Sequence, residues 1–295
     1  MTSQGHGLSV GIASAHPSEA ERAFIEACML DVQSFKPGNV SVESPGHGMQ
    51  AEDFIASAQA AAASLCDPAR RVGDRLLGAV QATRRAVDCN TNLGILLLAA
   101  PLLHAHQHRR SGQALHAALA DTVALLDRGD ADAAYRAIRL AEPAGLGRST
   151  KHDVRDDPDV TLLEAMLEGA ARDSIARQYG NNFADVWGFG LPVLRRARAR
   201  WEHEEAAVVA VYLGFLAAFP DSHVMRKHGY AAAEQVQREG LACQTAVQLS
   251  STWSEALAQL RAFDRRLKNR CINPGTSADL TVAVVLADRL GDAVT

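Results

Sequence analysis

Residues 273–280, Asn-Pro-Gly-Thr-Ser-Ala-Asp-Leu, have the form of a helix start that could also bind an anion. Thr276 or Ser277 would be the N-cap, and Asp279 would lie in the first turn. The amides of Gly275 to Ser277 would then be free at the positive end of the helix, where phosphate oxygens bind readily. Capping alone explains the same residues, and for this segment in isolation capping is the favoured interpretation.

The loop at residues 36–49 combines three glycines, two prolines, a lysine and a histidine. Proline restricts the backbone and glycine permits close approach, so that unpaired amides could face an anion. Lys36, Gly38 and Asn39 are the candidate contacts, whereas the role of His47 stays open. A loop without a ligand is the alternative.

Residues 221–229, Asp-Ser-His-Val-Met-Arg-Lys-His-Gly, concentrate titratable groups of both signs after an apolar stretch. Such density is typical of functional sites. Asp221 could equally cap the next helix while Arg226 and Lys227 are solvated. Asn90 and Asn92, in the polar break at 88–92, are open between loop polarity and ligand contact.

Other motifs give weaker evidence for a functional site. His104 and His108 share a helix face, as metal ligands do, but a solvated cationic cluster at a helix end explains them better. The usual nucleotide-binding and hydrolase motifs do not occur in the sequence.

Composition narrows the class of protein. The formal charge of the 295 residues is -4 and the pI is about 6.3, which argues against nucleic acid as a partner. Five scattered cysteines indicate reduced thiols and a cytoplasmic location. The apolar runs 93–103 and 206–219 are shorter than the ~20 residues of a membrane span, so no membrane contact is expected.

The hydrophobic periodicity is helical throughout and predicts an all-α protein. We expect a flexible tail over residues 1–17 and one helical domain over 18–295, built as a single large bundle of about a dozen helices. The predicted helices cover residues 18–33, 51–66, 72–87, 93 onward, 111–126, 130–140, 157–179, 182–201, 205–219, 224–243, 250–269 and 277–290.

Helices joined by short loops run antiparallel, so successive loops alternate between the two ends of a bundle. By this count the loops at Lys36, Asp88, Asp221 and Asn273 lie at one end, unless the chain breaks again near Gly188. The irregular segment at residues 142–157 follows the other end but is long enough to reach the first.

Taken in order, these motifs resemble the triphosphoribosyl-dephospho-CoA synthase family over nearly the whole chain after the tail. The resemblance implies that ATP and 3'-dephospho-CoA give 2'-(5''-triphosphoribosyl)-3'-dephospho-CoA and adenine. The matching segments are Lys36-Pro-Gly, Asn90-Thr91 with Gly94, Asp221-Ser-His-x-x-Arg226-Lys-x-Gly229 and Asn273-Pro-Gly-Thr-Ser-Ala-Asp279-Leu.

Two positions depart from the family pattern. Asn92-Leu93 stands where the family has His-Lys, and His223 stands where many members have asparagine. Residues 151–154, Lys-His-Asp-Val, are more similar to archaeal and methylotroph members, which leaves open another acceptor, of the methanopterin or methanofuran type. The lost His-Lys pair leaves open a non-catalytic helical nucleotide-binding or scaffold protein.

The implied chemistry needs Mg²⁺ on the triphosphate of ATP, acid assistance to adenine and activation of the acceptor 2'-hydroxyl. By the resemblance, Asp221 and Asp279 are candidate metal ligands or general bases, and His223 is a further catalytic candidate. Substrates are small molecules, and a homo-oligomer stays open. Phosphate contacts would come from Lys36, Arg226, Lys227, Gly275, Thr276 and Ser277, and contacts to the base or ribose from Asn90 and Asn92.

Overall fold

A computed structural model describes residues 17–291, and in this part of the chain the all-α prediction is confirmed. It contains fourteen α-helices and one π-helical turn, while β-structure is limited to two isolated bridges in the loop at 36–49. The predicted tail lies outside the described residues except for Pro17. The helices are α1 Glu19–Gln33, α2 Ala51–Leu65, α3 Val72–Val87, α4 Leu93–His108, α5 Leu115–Ala124, α6 Arg128–Ala141, α7 Leu162–Gly169, α8 Ser174–Gly180, α9 Leu191–Arg200, α10 Glu204–Ala218, α11 Ser222–His228, α12 Tyr230–Leu249, α13 Trp253–Lys268 and α14 Gly275–Leu290, with the π turn at Asp185–Gly190 before α9.

Three apolar helices, α4, α10 and α14, form the centre of the fold. Helix α14 contacts both α4 and α10, and the other helices surround them. Because α10 is apolar on every face, it contributes to two clusters of buried side chains, one shared with α4 and α14 and one with α12 and α13. Helix α10 is therefore central to the fold.

Two helices predicted as continuous are each divided. The segment at 157–179 begins only at Leu162, with Thr161 as the N-cap, and Asp173 caps the separate helix α8. Gly229, with φ of +87°, ends α11 and precedes α12. These breaks depend on caps and a left-handed glycine, which apolar periodicity does not report.

The helix predicted from residue 130 begins two residues earlier, and the predicted N-cap of α14 is wrong. Asp127 caps α6, and Asp130 is the third helical residue, whose carboxylate accepts from the amides of Asp127 and Gly73. Pro274 precedes α14, so Thr276 and Ser277 lie inside the helix rather than at its N-cap. A carboxylate from elsewhere in the chain takes over the capping of α14, as described below.

Between residues 17 and 291, no single helix is long and apolar enough to span a membrane. Helices α10 and α11, bent by 54°, meet the length and composition criteria only as a pair.

Candidate active site

The four polar loops at residues 36, 88, 221 and 273 meet at one cavity of about 530 Å³. Their convergence confirms the prediction made from loop order, although α11 and the division of 157–179 alter the helix count behind it. The chain does not reverse at Gly188, because the π turn leads directly into α9. Each loop, or the helix that begins after it, supplies polar side chains to the cavity wall: Asn39, Asn90, Thr91, His223, Arg226, Asn273 and Asp279.

The irregular segment between α6 and α7 forms another side of the cavity, as its predicted reach allows. Residues 143, 144, 146–149 and 152–154 line the cavity. Two hydrogen bonds to α6 hold this segment: Tyr135 Oη donates to the carbonyl of His152 at 2.8 Å, and Arg139 Nη1 donates to that of Val154 at 2.5 Å. Apolar side chains complete the wall: Phe54, Leu93, Ile95, Leu97, Ile138, Leu146, Leu162, Met166 and Ile175.

Asp279, in the first turn of α14, presents a carboxyl group to the cavity. Among the described residues, no hydrogen bond to this side chain is formed. Gly94 of α4 leaves the space that the carboxyl group occupies, because a β-carbon there would overlap Oδ2 of Asp279. Burial raises the pKa of Asp279 well above its usual range, and the nearby carboxylates of Asp31 and Asp221 raise it further. This carboxyl group therefore favours its protonated form.

A second cavity carboxylate, Asp31 of α1, was missed by the sequence reasoning. Lys36 Nζ lies 3.1 Å from Asp31 Oδ1 and also donates to the Asp31 carbonyl. Burial raises the pKa of Asp31 and lowers that of Lys36, while their mutual attraction opposes both shifts. A charged residue on the apolar face of α1, three residues after Cys28, was the available sequence signal.

Lys36 was predicted to contact phosphate, but its side chain does not reach the cavity. It is 1% exposed, does not line the cavity, and has its ammonium group on Asp31. Gly38, predicted as a ligand contact, is likewise structural. Its amide donates to Asp264 Oδ1 at 2.8 Å, and at φ of +79° a β-carbon would lie 2.8 Å from Leu267.

Asp221, predicted as a base or metal ligand, is only 2% exposed and does not line the cavity. Its Oδ1 accepts from the Val224 amide at 3.0 Å, which caps α11. Its Oδ2 accepts from both the amide and the hydroxyl of Ser277 at 2.8 Å. Since both oxygens are bound by donors, Asp221 joins α11 to the start of α14, and the sequence assignment requires correction.

The same contact corrects the predicted phosphate cradle at 275–277. The Ser277 amide is bound by Asp221, and Thr276 Oγ1 accepts from the His223 amide at 3.1 Å. Gly275 does line the cavity, and a β-carbon on it would lie 3.0 Å from Nδ1 of His223. The free amides expected at this helix start are thus partly used by the protein itself.

His223 faces the cavity from α11. Burial lowers the pKa of its ring, which the Asp221 carboxylate raises and the charges of Arg226 and Lys227 lower again. The imidazole therefore favours the neutral form, in which one ring nitrogen donates and the other accepts.

The predicted asparagines separate into two kinds. Asn39 and Asn90 line the cavity, and Asn39 Nδ2 donates to Asn273 Oδ1 at 2.9 Å, which joins two of the converging loops. Asn92 is buried behind the wall, with Thr83 Oγ1 at 3.4 Å, and does not line the cavity.

Among the predicted cations, only Arg226 lines the cavity, where it forms an ion pair with Asp173; Lys227 is exposed outside it. Arg148 and Arg172 also line the cavity, and the sequence reasoning did not select them. Arg148 gave no periodic signal, because it lies in an irregular segment.

The two predicted metal ligands, Asp221 and Asp279, differ in their access to the cavity. Asp221 Oδ1 accepts one hydrogen bond and Oδ2 accepts two, and of the two aspartates only Asp279 lines the cavity. Within residues 17–291, no group of three or more His, Cys, Asp or Glu side chains is placed to hold a metal ion. His104 and His108 stack with ring centroids 4.2 Å apart and lack a third ligand in this region.

Fold and cavity together define an all-helical protein whose candidate active site lies between inter-helix loops. The sequence matches the family model of ATP:dephospho-CoA triphosphoribosyl transferase over residues 17–294. The chain therefore belongs to this family, which confirms the resemblance seen in the motifs.

The names of individual relatives agree with this family assignment. A probable 2-(5''-triphosphoribosyl)-3'-dephosphocoenzyme-A synthase of Pseudomonas fluorescens is 28% identical over 96% of this chain and 97% of its own length. One of the same description from Pseudomonas putida is 33% identical over 42% of each chain. A crystal structure described as a "putative triphosphoribosyl-dephospho-coA synthase" of Archaeoglobus fulgidus superposes with a TM-score of 0.63 at 24% identity, covering 81% of this chain and 99% of that one, which supports the fold.

Proposed function

We propose that the protein transfers the triphosphoribosyl group of ATP to the 2'-hydroxyl of 3'-dephospho-CoA and releases adenine. Family membership over residues 17–294 and the names of the Pseudomonas relatives support this activity. The observation that carries the proposal is the Asp279 carboxyl group, which faces the cavity without a hydrogen-bond partner in the described chain and has a raised pKa. A proton-transfer group of this kind is what displacement of a nucleobase requires.

In the proposed reaction, the bond between the ribose C1' and N9 of adenine breaks, and an oxocarbenium-like sugar develops. Protonated Asp279 donates its proton to the departing adenine, which avoids release of an adenine anion. The resulting carboxylate then takes the proton of the 2'-hydroxyl as that oxygen bonds to C1'. One proton leaves Asp279 and one returns, so the enzyme is restored.

Other wall residues would position the substrates. Neutral His223 and the amide of Asn90 can both donate and accept hydrogen bonds, which suits contacts to a base or ribose. Arg226 supplies positive charge to phosphate. Magnesium would enter with ATP as part of the substrate, neutralising its phosphates.

Adenine release tests the proposal. The protein is incubated with ATP, Mg²⁺ and 3'-dephospho-CoA, adenine is quantified by chromatography, and the acceptor product is identified by mass spectrometry. We expect adenine and the triphosphoribosyl product in equal amounts, and neither when the acceptor is omitted. ATP that binds and remains unchanged would favour a non-catalytic protein, whereas ADP or AMP in place of adenine would overturn the proposed reaction.

A further inference from the structure

Most of the positive charge that lines the cavity comes from a different part of the chain than the sequence motifs suggested. Of Lys36, Arg226 and Lys227, only Arg226 lines it. Arg148 comes from the irregular segment between α6 and α7, and Arg172 from the turn between α7 and α8. Two of the three cavity arginines therefore lie outside every motif used above.

We propose that Arg148, Arg172 and Arg226 form the subsite for the triphosphate group, a polyanion. The assignment of this subsite to ATP rests on the proposed function. Arginine is suited to this role because its planar guanidinium can donate two parallel hydrogen bonds to a phosphate and stays charged when partly buried.

The segments that carry the three arginines contact one another. Arg172 Nη2 donates to Ser149 Oγ at 3.0 Å, which joins the α7–α8 turn to the residue next to Arg148. Gly145 packs on the end of α11, since a β-carbon there would lie 2.8 Å from the Arg226 carbonyl, and its φ of +73° suits glycine. The irregular segment thus connects all three arginines.

Their present partners leave donors for a ligand. Arg226 is paired with Asp173 through Nη1, and Asp173 Oδ1 is itself held by the Ile175 amide at 2.8 Å. Arg172 also donates through Nη1 to the Glu168 carbonyl at 3.2 Å. Arg148 forms no ion pair or hydrogen bond with any residue between 17 and 291, although it lines the cavity. Since Arg148 and Arg172 are exposed at the cavity, a polyanion would replace their water contacts with charge-assisted hydrogen bonds.

Asp153, the other carboxylate on this side, is engaged in building the segment. It accepts from the amides of Ser149 at 2.8 Å and Arg155 at 2.9 Å. These hydrogen bonds lower its pKa, so Asp153 stays ionised and keeps the turn that carries Arg148 closed. Its charge is partly balanced by Arg155, whose Nη1 lies 3.3 Å from Asp153 Oδ2.

Calorimetric titration of the full chain with sodium tripolyphosphate tests the subsite without requiring catalysis. We expect Arg148→Ala and Arg172→Ala each to weaken binding by roughly tenfold or more, as for loss of a charge-assisted hydrogen bond. Arg136→Ala is the control, because Arg136 is a half-exposed arginine of α6 that pairs with Asp132 and does not line the cavity. Circular dichroism checks that each variant is folded, and Arg172→Lys tests whether charge alone suffices.

Equal affinities in Arg148→Ala, Arg172→Ala and Arg136→Ala would overturn the subsite, as would a wild-type protein that does not bind tripolyphosphate. The proposed function is judged separately, by adenine release. Binding that depends on Arg148 and Arg172 without adenine release would keep the subsite and reject the transfer. Suppose instead that adenine is released and that the two substitutions change neither tripolyphosphate binding nor the KM for ATP. This result would keep the transfer reaction and reject the subsite.

Discussion

Asp221 and Asp279 belong to neighbouring motifs and are the same type of residue, yet their surroundings differ completely. Both Asp221 oxygens accept hydrogen bonds from buried donors, and the residue lies behind the cavity wall. Asp279 accepts none from the described residues and faces the cavity. A carboxylate whose hydrogen bonds are complete stabilises structure, whereas one left incomplete at a cavity is available for chemistry.

The contrast extends to the surrounding residues. Lys36, Asp221, Asp264 and Ser277, which we call the supporting layer, bond one loop to another and do not line the cavity. The cavity wall contains Asp279, His223 and the three arginines. Substitutions in the supporting layer should therefore reduce stability first, and substitutions in the wall should reduce activity first.

The largest effect is expected for Asp279→Asn. We expect adenine release to fall by about 10²–10⁴-fold, the usual contribution of a proton-transfer group. Stability at neutral pH should rise, because asparagine mimics the uncharged form that the buried site favours. Chromatographic assay and thermal unfolding measure the two effects. Unchanged turnover in a folded variant would remove Asp279 from the mechanism.

The pH dependence gives an independent check on Asp279. Because its pKa is raised in the folded state, the wild-type protein binds more protons at this group folded than unfolded. Its contribution to stability is thus complete below the ordinary aspartate pKa and is lost as the pH rises through the folded-state pKa. Urea unfolding at several pH values should show this loss in the wild type and a smaller one in Asp279→Asn.

Lys36→Met should cause the largest loss of stability in the supporting layer. It leaves the Asp31 carboxylate buried without its cation, a change that costs about 3–5 kcal/mol. Urea unfolding measures it, and Asp31→Asn in the same chain should recover part of the loss. Arg136→Met, which removes a half-exposed partner of Asp132, is the control and should cost about 1 kcal/mol or less. Similar losses in both variants would contradict the burial argument.

Asp221→Ala is expected to cost about 2–4 kcal/mol, since it removes the α11 cap and leaves the buried donors of Ser277 unpaired. The exposed cap of α6 provides the comparison, because Asp127→Ala should cost only about 1 kcal/mol. Both are measured by chemical unfolding. A folded Asp221→Ala protein with wild-type stability and no turnover would return Asp221 to the catalytic residues.

Gly94→Ala should reduce the rate of catalysis by less than Asp279→Asn does. The added methyl group displaces the Asp279 carboxyl group, and a misplacement of this size costs roughly tenfold to a hundredfold in rate. Stability should fall by about 1–3 kcal/mol, because the overlap with Asp279 outweighs the better helix propensity of alanine. At Gly188 a β-carbon meets nothing within 4 Å, so Gly188→Ala is the control. Equal rates of adenine release in Gly94→Ala and Gly188→Ala would show that the position of the Asp279 carboxyl group does not depend on Gly94.

Much of the fold could be read from the sequence because the apolar periodicity of α1, α3 and α10 is strong and their ends carry local signals. Ser18 caps α1 with Glu21 completing the capping box, as a local pattern predicts. The start of α14 could not be read in this way. Its capping carboxylate comes from Asp221, 56 residues earlier in the chain.

The sequence by itself determined the all-helical class, the family and the meeting of four polar loops, because these follow from periodicity, ordered motifs and short connections. Only the tertiary structure decided which polar residues line the cavity and which form contacts within the protein. Lys36, Gly38 and Asp221 are drawn into contacts distant in sequence or buried from the cavity, while Asp31, Arg148 and Arg172 reach it from outside the motifs. The physical reason is that burial and hydrogen-bond completion, which set the protonation and availability of a side chain, arise from packing between distant segments.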